Sequence, residues 1–185
     1  MPPSQLPEDI VWQGRFITVK TRGTWEYVSR ARGIKAAVIL AIEDGHVLLV
    51  EQYRVPLGAP CLELPAGLVG DEQAGEAVTH AAARELEEET GYRPAHVHLM
   101  GEYYSSPGMV SESFFLVRAT GLERVGAGGG VGDEHIRVHR VPINGLAAFI
   151  ADKRAQGCAM DVKLLMLLGP ALWADDPAGG PDARF

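Results

Sequence analysis

The chain has 185 residues, which suits one domain or one domain with a small appendage, and 46% of them are apolar, enough for a real hydrophobic core. A net charge of −7 argues against a nucleic-acid-binding surface, although a metal ion and a few arginines could still attract a small anion. Two cysteines give no disulfide framework, and neither a signal-peptide pattern nor an apolar run of membrane-spanning length is visible, so we expect a cytoplasmic protein with no nucleic-acid or membrane partner.

Alternating and apolar runs predict strands on both sides of one long helix, followed by two further helices. Residues 1–9 are rich in proline and should be loose, residues 127–132 are rich in glycine and should be mobile, and residues 174–185 should form a disordered tail. The predicted strands cover residues 11–20, 25–30, 35–42, 46–52, 61–64, 96–104, 113–119 and 135–141. The predicted helices cover residues 73–90, 144–156 and 160–168. Asp44-Gly45 is a hairpin signal. The fold class that this order indicates is α+β, with helices packed on a mixed sheet.

Four carboxylates and one arginine crowd into the end of the long helix, in the run Arg84-Glu85-Leu86-Glu87-Glu88-Glu89. The apolar stripe of this helix consists of Val78, Ala82 and Leu86. Glu85 and Glu89 fall on the same side, Glu88 lies at its edge, and Glu87 points towards solvent. Two like charges four residues apart repel, and each is costly to bury without a positive partner. A divalent cation such as Mg²⁺ would satisfy both carboxylates, which predicts Glu85 and Glu89 as metal ligands and Glu88 as a third.

The segment before and through this helix resembles the signature of the Nudix hydrolases. That signature is Gly, five residues, Glu, seven residues, then Arg-Glu-apolar-any-Glu-Glu-any-Gly-apolar. The residues that match it are Gly70, Glu76, Arg84, Glu85, Leu86, Glu88, Glu89 and Gly91, while Tyr92 replaces the usual aliphatic residue. The run Pro65-Ala66-Gly67-Leu68 also resembles the family's entry into this loop, so we favour Gly67 over Gly70 as the structural glycine.

The resemblance implies a Nudix-like α/β/α sandwich over residues 35–172. The strands in residues 1–34 resemble the extra N-terminal sheet of the ADP-ribose pyrophosphatase branch, and there we expect an antiparallel strand pair that helps to build a homodimer. Residues 173–185 would form the tail. The cofactor implied is Mg²⁺ or Mn²⁺, bound by the glutamates and by the main-chain carbonyl of Ala66.

The resemblance also implies catalytic roles beside the metal ligand Glu89. Arg84 would orient a neighbouring glutamate rather than touch the substrate. Glu134 matches a loop glutamate of the ADP-ribose branch and would act as the general base, with Asp133 as the fallback. Both acids could instead be exposed turn residues. Glu76 suits a solvated position or an indirect role behind the metal ligands.

Substrate-binding roles follow from the same branch. Arg54 matches a phosphate-contacting arginine, and its planar guanidinium suits a two-point phosphate contact. Glu112 matches an acidic position that would assist the metals or bind ribose, although an ordinary residue at a strand start explains it equally well. Pro107 lies in a Ser-Pro-Gly loop like that of the branch, and Gly67 lines the metal loop. Trp25 could stack on the base or pack in the core, and Tyr27 is the alternative for stacking.

These expectations favour metal-dependent hydrolysis of ADP-ribose to AMP and ribose 5-phosphate. Hydrolysis of GDP-mannose or another nucleotide sugar is the alternative within the same class. A non-catalytic Nudix domain that senses a nucleotide is the alternative from another class, although such a domain has no need of the acidic cluster.

Overall fold

The computed structural model describes residues 6–31, 33–70, 75–132 and 134–173, and it contains eleven strands and three α-helices within those ranges. The strands are β1 (Glu8–Gln13), β2 (Ile17–Arg22), β3 (Trp25–Arg30), β4 (Lys35–Glu43), β5 (His46–Arg54), β6 (Ala59–Glu63), β7 (Ala66–Val69), β8 (Tyr92–Tyr104), β9 (Ser113–Arg124), β10 (Arg137–Pro142) and β11 (Ala159–Met160). The helices are α1 (Val78–Thr90), α2 (Leu146–Ala155) and α3 (Leu165–Trp173).

The main sheet is mixed and splits in its middle. Its path runs β11-β6-β5-β4-β9-β8, with β10 paired to β5 and β7 paired to β4. The hairpin strands β4 and β5 pair directly only beside their turn, at Ile42↔Val47 and Glu43↔His46. Beyond that point β4 pairs with β7 and β5 pairs with β6, so the connection between β6 and β7 lies in the fork. Asp44 and Gly45 both have positive φ, 48° and 69°, which confirms the predicted tight hairpin turn.

Helices cover both faces of this sheet. Successive residues of β4 point to opposite faces, so Val38 belongs to a core cluster with Leu146, Ile150 and Leu164, on the face covered by α2. Ile39 belongs to a second cluster that includes Ala82 and Leu86 of α1. Two cores on either side of a mixed sheet make an α/β/α sandwich, which confirms the predicted fold class.

The N-terminal sheet has three strands rather than the predicted pair. The predicted strand over residues 11–20 is two strands, β1 and β2, and the chain turns between them around Gly14, whose amide donates to the Ile17 carbonyl at 2.9 Å. The expectation that residues 1–9 are loose is wrong from Glu8 onwards, since β1 begins there; residues 1–5 lie outside the described residues. The sheet docks through β3, because Val28 exchanges backbone hydrogen bonds with Met109 and Ser111.

Two further expectations about secondary structure are corrected. Helix α1 begins at Val78 and not at residue 73, because Gly75 has a φ of 83° and Ala77 is extended. The segment after Pro65, expected to be a loop, forms the short strand β7. Within the residues that the structure describes, no helix has the length and apolar character needed to cross a bilayer. The predicted tail at residues 174–185 lies outside the described residues.

Candidate active site

A cleft of about 450 Å³ opens at the fork where β4 and β5 diverge. Strands of both half-sheets, the β6–β7 connection and one side of α1 surround it. Its lining residues are Arg30, Ala36, Val38, Gln52, Arg54, Glu63, Ala66, Gly67, Leu68, Glu85, Glu89, Ser105, Glu112, Phe114, Glu134 and Lys163. Six of the predicted site residues are therefore brought together with Ala66 in one cleft: Gly67, Glu85, Glu89, Arg54, Glu112 and Glu134.

Glu85 lies directly over the backbone of Gly67. A Cβ atom placed on Gly67 would fall 1.9 Å from Cδ of Glu85 and 2.2 Å from its Cγ. Any side chain at position 67 would displace this carboxylate, so glycine keeps Glu85 in place by allowing close approach and not by forming an unusual turn. The preference for Gly67 over Gly70 as the glycine of the site therefore has a direct steric reason.

Glu89 is the most buried carboxylate of α1, with 5% of its surface exposed. The amide of Ala66 donates to its Oε2 at 3.0 Å, which ties α1 to the start of β7. Burial raises the pKa of Glu89 to about 8, helped by the charges of Glu85 and Glu134 and opposed by the Ala66 amide and by Arg54. A carboxyl group in this state gains much from a nearby cation, which would remove both the desolvation cost and the repulsion.

Arg84 contacts three acids, two of them on α1 and one just before it. Its Nη1 lies 3.1 Å from Oε1 of Glu85 and 3.2 Å from Oε2 of Glu88, and its Nη2 lies 3.6 Å from Oε2 of Glu76. Arg84 is not among the residues that line the cleft, which agrees with the expectation that it orients a glutamate. Glu76 contacts the same guanidinium, which fits an indirect role behind the cleft.

The other two glutamates of α1 point away from the cleft. Glu88 does not line it, and the contact with Arg84 accounts for its position, so its role as a third metal ligand stays a prediction. Glu87 pairs with Arg93 on the surface, through two hydrogen bonds of 2.8 Å each. The predicted direction of Glu87 is therefore confirmed.

The glycine-rich segment, expected to be mobile, is tied to the carboxyl end of α1. The amides of Gly129 and Gly130 donate to the carbonyls of Glu89 and Glu88 at 2.8 and 3.1 Å. A Cβ on Gly128 would lie 2.4 Å from the carbonyl carbon of the residue after Glu89, so the segment can approach this closely only because Gly128 has no side chain.

Glu134 follows this segment and lines the cleft. Its Oε2 accepts a hydrogen bond of 2.8 Å from the amide of Val131. The glycine segment thus holds Glu134 close enough to Glu89 for its charge to contribute to the raised pKa of Glu89. The fallback acid Asp133 lies outside the described residues.

Cationic side chains face the acids across the cleft, and sequence reasoning found only Arg54. Glu63 pairs with Arg54 through hydrogen bonds of 2.6 and 2.8 Å, and Arg30 pairs with Glu112 at 2.5 Å. Lys163 pairs with Asp161 at 2.6 Å and lies over the Phe114 ring at 5.5 Å. Arg30 and Lys163 were missed because they come from opposite ends of the chain and only the fold brings them to the cleft.

Trp25 and Pro107 lie in a different cavity. This second cavity, of about 350 Å³, is enclosed by β2, β3 and the loop before β9, and it is lined by Arg22, Trp25, Tyr27, Pro107, Gly108, Val110 and Ser111. Half of the Trp25 surface is exposed. The structure does not bring Trp25 or Pro107 into the acidic cleft of the same chain, so their roles in substrate binding stay predictions.

The donor set of the cleft fits a divalent cation of the magnesium type. No group of three acidic, histidine or cysteine side chains gathers as a complete metal cage among the described residues. Mg²⁺ does not need such a cage, because it usually takes one or two carboxylates and completes its octahedron with water and substrate phosphates. Glu85, Glu89 and the carbonyl of Ala66 could supply the protein's share of the ligands.

Comparisons with known proteins give matches over much of the chain. The model of the NUDIX domain matches residues 31–158. The GDP-mannose pyrophosphatase of Yersinia enterocolitica is 37% identical over 146 residues, covering 74% of this chain and 72% of that protein. The ADP-ribose pyrophosphatase of Bacillus subtilis is 38% identical over 76 residues, covering 41% and 40%. The crystal structure of an ADP compounds hydrolase matches with a TM-score of 0.69 and 25% identity, covering 90% of this chain and 92% of that one. The matched region spans only 59–63% of the length of three further curated relatives.

Proposed function

Because the chain belongs to the Nudix family, we propose that it hydrolyses the diphosphate bond of a nucleoside diphosphate sugar, with ADP-ribose as the first substrate to test. The observation that carries this proposal is one cleft in which Glu85 and Glu89 face Arg54. Such a cleft suits a substrate with several negative oxygens only when a cation accompanies it, since the acids alone would repel it.

Glu85, Glu89 and the carbonyl of Ala66 would hold Mg²⁺ or Mn²⁺, and Glu88 is proposed as a further ligand. Once bound, the cation would neutralise charge on the phosphoryl oxygens and make a bound water more acidic. Arg84 would keep Glu85 aimed at the cleft through the contact of 3.1 Å between them. Gly67 leaves the space that Glu85 occupies.

The reaction adds water across one P–O–P bridge. A water oxygen forms a new bond to one phosphorus, the bridging P–O bond breaks, and Glu134 takes the proton of the attacking water as the general base. The leaving phosphate carries away the bridging oxygen, so ADP-ribose and water yield AMP and ribose 5-phosphate. Asp133 is the fallback for the proton acceptor.

Substrate recognition is proposed to use both sides of the fork. Arg54 would take the diphosphate through its planar N–H groups, and Lys163, which also lines the cleft, would add a second positive charge. Glu112 would bind ribose hydroxyls or assist the metals. Trp25 and the Pro107 loop would bind the base, a role that the second cavity allows through its exposed aromatic face.

A homodimer through the N-terminal sheet is part of the proposal. Large apolar side chains on β1 and the following turn are more than half exposed, namely Ile10, Val11, Trp12 and Phe16. Several large, exposed apolar side chains on one short strand and its turn are typical of an interface. Molar-mass measurement by light scattering would find twice the chain mass, and a monomer at micromolar concentration would contradict it.

GDP-mannose is the second candidate substrate, favoured by the Yersinia relative, of which the matched region covers 72%. The test is product analysis of the purified protein with ADP-ribose, GDP-mannose and a nucleoside triphosphate, each with Mg²⁺, with Mn²⁺ and with a chelator. AMP and ribose 5-phosphate formed from ADP-ribose, and abolished by the chelator, are the expected result. Turnover of GDP-mannose alone would assign the specificity to GDP-mannose instead of ADP-ribose. No turnover of any substrate would favour the nucleotide-sensing alternative.

A further inference from the structure

Arg54 and Glu63 form a two-point ion pair at the floor of the cleft. Nε of Arg54 donates to Oε1 of Glu63 at 2.6 Å, and Nη2 donates to Oε2 at 2.8 Å. Glu63 is the last residue of β6 and is 6% exposed, whereas 42% of the Arg54 side chain is exposed. The carboxylate is therefore the fixed, buried partner, and the guanidinium is the partner that faces the cleft.

This geometry uses only one edge of the guanidinium. Arginine has five N–H donors in a rigid plane, and the pair with Glu63 occupies one on Nε and one on Nη2. Three donors remain in the same plane and are available to an anion in the cleft. A flexible arginine would have to be ordered when the anion binds, and the Glu63 pair orders it beforehand.

The charges of the cleft make this restraint necessary. Glu85, Glu89 and Glu134 also line it, and an unrestrained Arg54 would be drawn towards them and would compete with a cation for the same carboxylates. The other arginine pair of the cleft, between Arg30 and Glu112, is different. There the Nε and Nη2 atoms share a single carboxylate oxygen, and about a third of each side chain is exposed.

We propose that Glu63 is a positioning residue that holds Arg54 in the orientation that receives the diphosphate of the substrate. This inference rests on the proposed function for the class of ligand. It assigns to a buried carboxylate, one whose two oxygens both accept hydrogen bonds from Arg54, control over how tightly an anion is held in a cleft already rich in negative charge.

The direction in which Glu63→Gln changes the affinity for a diphosphate distinguishes a positioning role from a purely electrostatic one. Replacing Glu63 by glutamine removes a negative charge next to the anion site, which by charge alone should strengthen the binding of a diphosphate. Loss of positioning should weaken it instead. We expect Glu63→Gln to weaken the binding of ADP by about tenfold, the size of a lost charge-assisted hydrogen bond.

The experiment is calorimetric titration of ADP, in the presence of Mg²⁺, into the wild-type protein, Glu63→Gln, Arg54→Gln and the double variant. Because both changes act through one guanidinium, the double variant should bind no more weakly than Arg54→Gln alone. Glu51→Gln is the matched control. Glu51 is a half-buried carboxylate outside the cleft that pairs with Lys153 at 2.6 Å, so this variant should lose stability and keep its affinity for ADP.

Unchanged or tighter ADP binding in Glu63→Gln, additive losses in the double variant, or no ADP binding by the wild type would overturn the inference. Should Glu63→Gln fail to fold, Arg54→Lys replaces it in the test, because lysine keeps the charge and loses the two-point contact; wild-type affinity there would overturn the inference too. Coupled ADP binding in a protein that hydrolyses no nucleotide sugar would refute the proposed function and leave the positioning role intact.

Discussion

Substituting Gly67 by alanine would displace a carboxylate of the cleft without removing it. The new Cβ would fall 1.9 Å from Cδ of Glu85, whereas non-bonded carbon atoms rest about 3.5–4.0 Å apart. The Glu85 side chain must therefore retreat by roughly 1.5 Å or more. Misplacement of a reacting group by about 1 Å can cost about 100-fold in rate, so we expect kcat/KM to fall at least that far, about 2.7 kcal/mol of transition-state stabilisation.

The stability of this variant should change little. Gly67 lies in an extended strand and pairs with Ala37 of β4, a backbone conformation that alanine adopts readily. The backbone gain from alanine, about 0.5–1 kcal/mol, offsets a weakened contact between Arg84 and the displaced Glu85. The free energy of unfolding, obtained from thermal melts, should therefore change by no more than about 1 kcal/mol in either direction.

The assay combines kcat/KM for ADP-ribose with the affinity for Mn²⁺, measured by titration of the protein without substrate. The matched control is Gly145→Ala at the start of α2, where a Cβ would meet its nearest neighbour, Pro142, at an ordinary 3.5 Å. Gly67→Ala with wild-type turnover and wild-type Mn²⁺ affinity would refute the reasoning, because the position of Glu85 would then not matter.

Three further predictions concern α1. Glu85→Gln and Glu89→Gln should keep the fold and lower kcat by orders of magnitude, whereas Glu87→Gln, which loses only a surface contact, should keep near-normal turnover; a large loss in Glu87→Gln would contradict the orientation of the helix. In the folded protein the pKa of Glu89 is about 8, whereas in the unfolded chain it is 4.5. Between these values the folded state binds the proton more tightly, so without metal the free energy of unfolding should fall as pH rises from about 4.5 to 8. Glu89→Gln should flatten that fall in a series of thermal melts, and an equally steep fall in the variant would contradict the assignment. Leu86→Ala, at a fully buried position, should lower the free energy of unfolding by about 2–5 kcal/mol in a urea titration, and a loss below about 1 kcal/mol would show that this face of α1 packs loosely.

Much of the site could be predicted from sequence because its acids lie on one helix. The period of 3.6 residues sets which side chains share a face, so the apolar stripe and the acids Glu85 and Glu89 were placed correctly before the fold was known. The direction of Glu87 follows from the same period. The predicted faces of this helix are correct, but its predicted start is too early. Gly75 and Ala77 have non-helical backbone angles, and the sequence carries no strong helix-start signal at that point.

The residues that were missed depend on contacts between distant parts of the chain. Glu63 could have been suspected only from its place beside the Leu-Pro-Ala-Gly run, since its partner Arg54 comes from another strand. Lys163 follows β11, which was not predicted because two residues carry no measurable period. The division of the N-terminal sheet into three strands also escaped prediction, because β1 is exposed on both faces and lacks a clear alternation of buried and exposed residues.

The hydrogen bonds between the glycine-rich segment and α1 join the end of the helix and the segment that precedes Glu134 into one cooperative unit. The amides of Gly129 and Gly130 cap carbonyls that the last turn of a helix would otherwise leave to water. Moving Glu134 together with this segment away from α1 would therefore uncap the turn that bears Glu88 and Glu89. We expect these two glycine amides to exchange their hydrogens with solvent at a common rate, because a single local opening of the glycine-rich segment and the helix end would expose both.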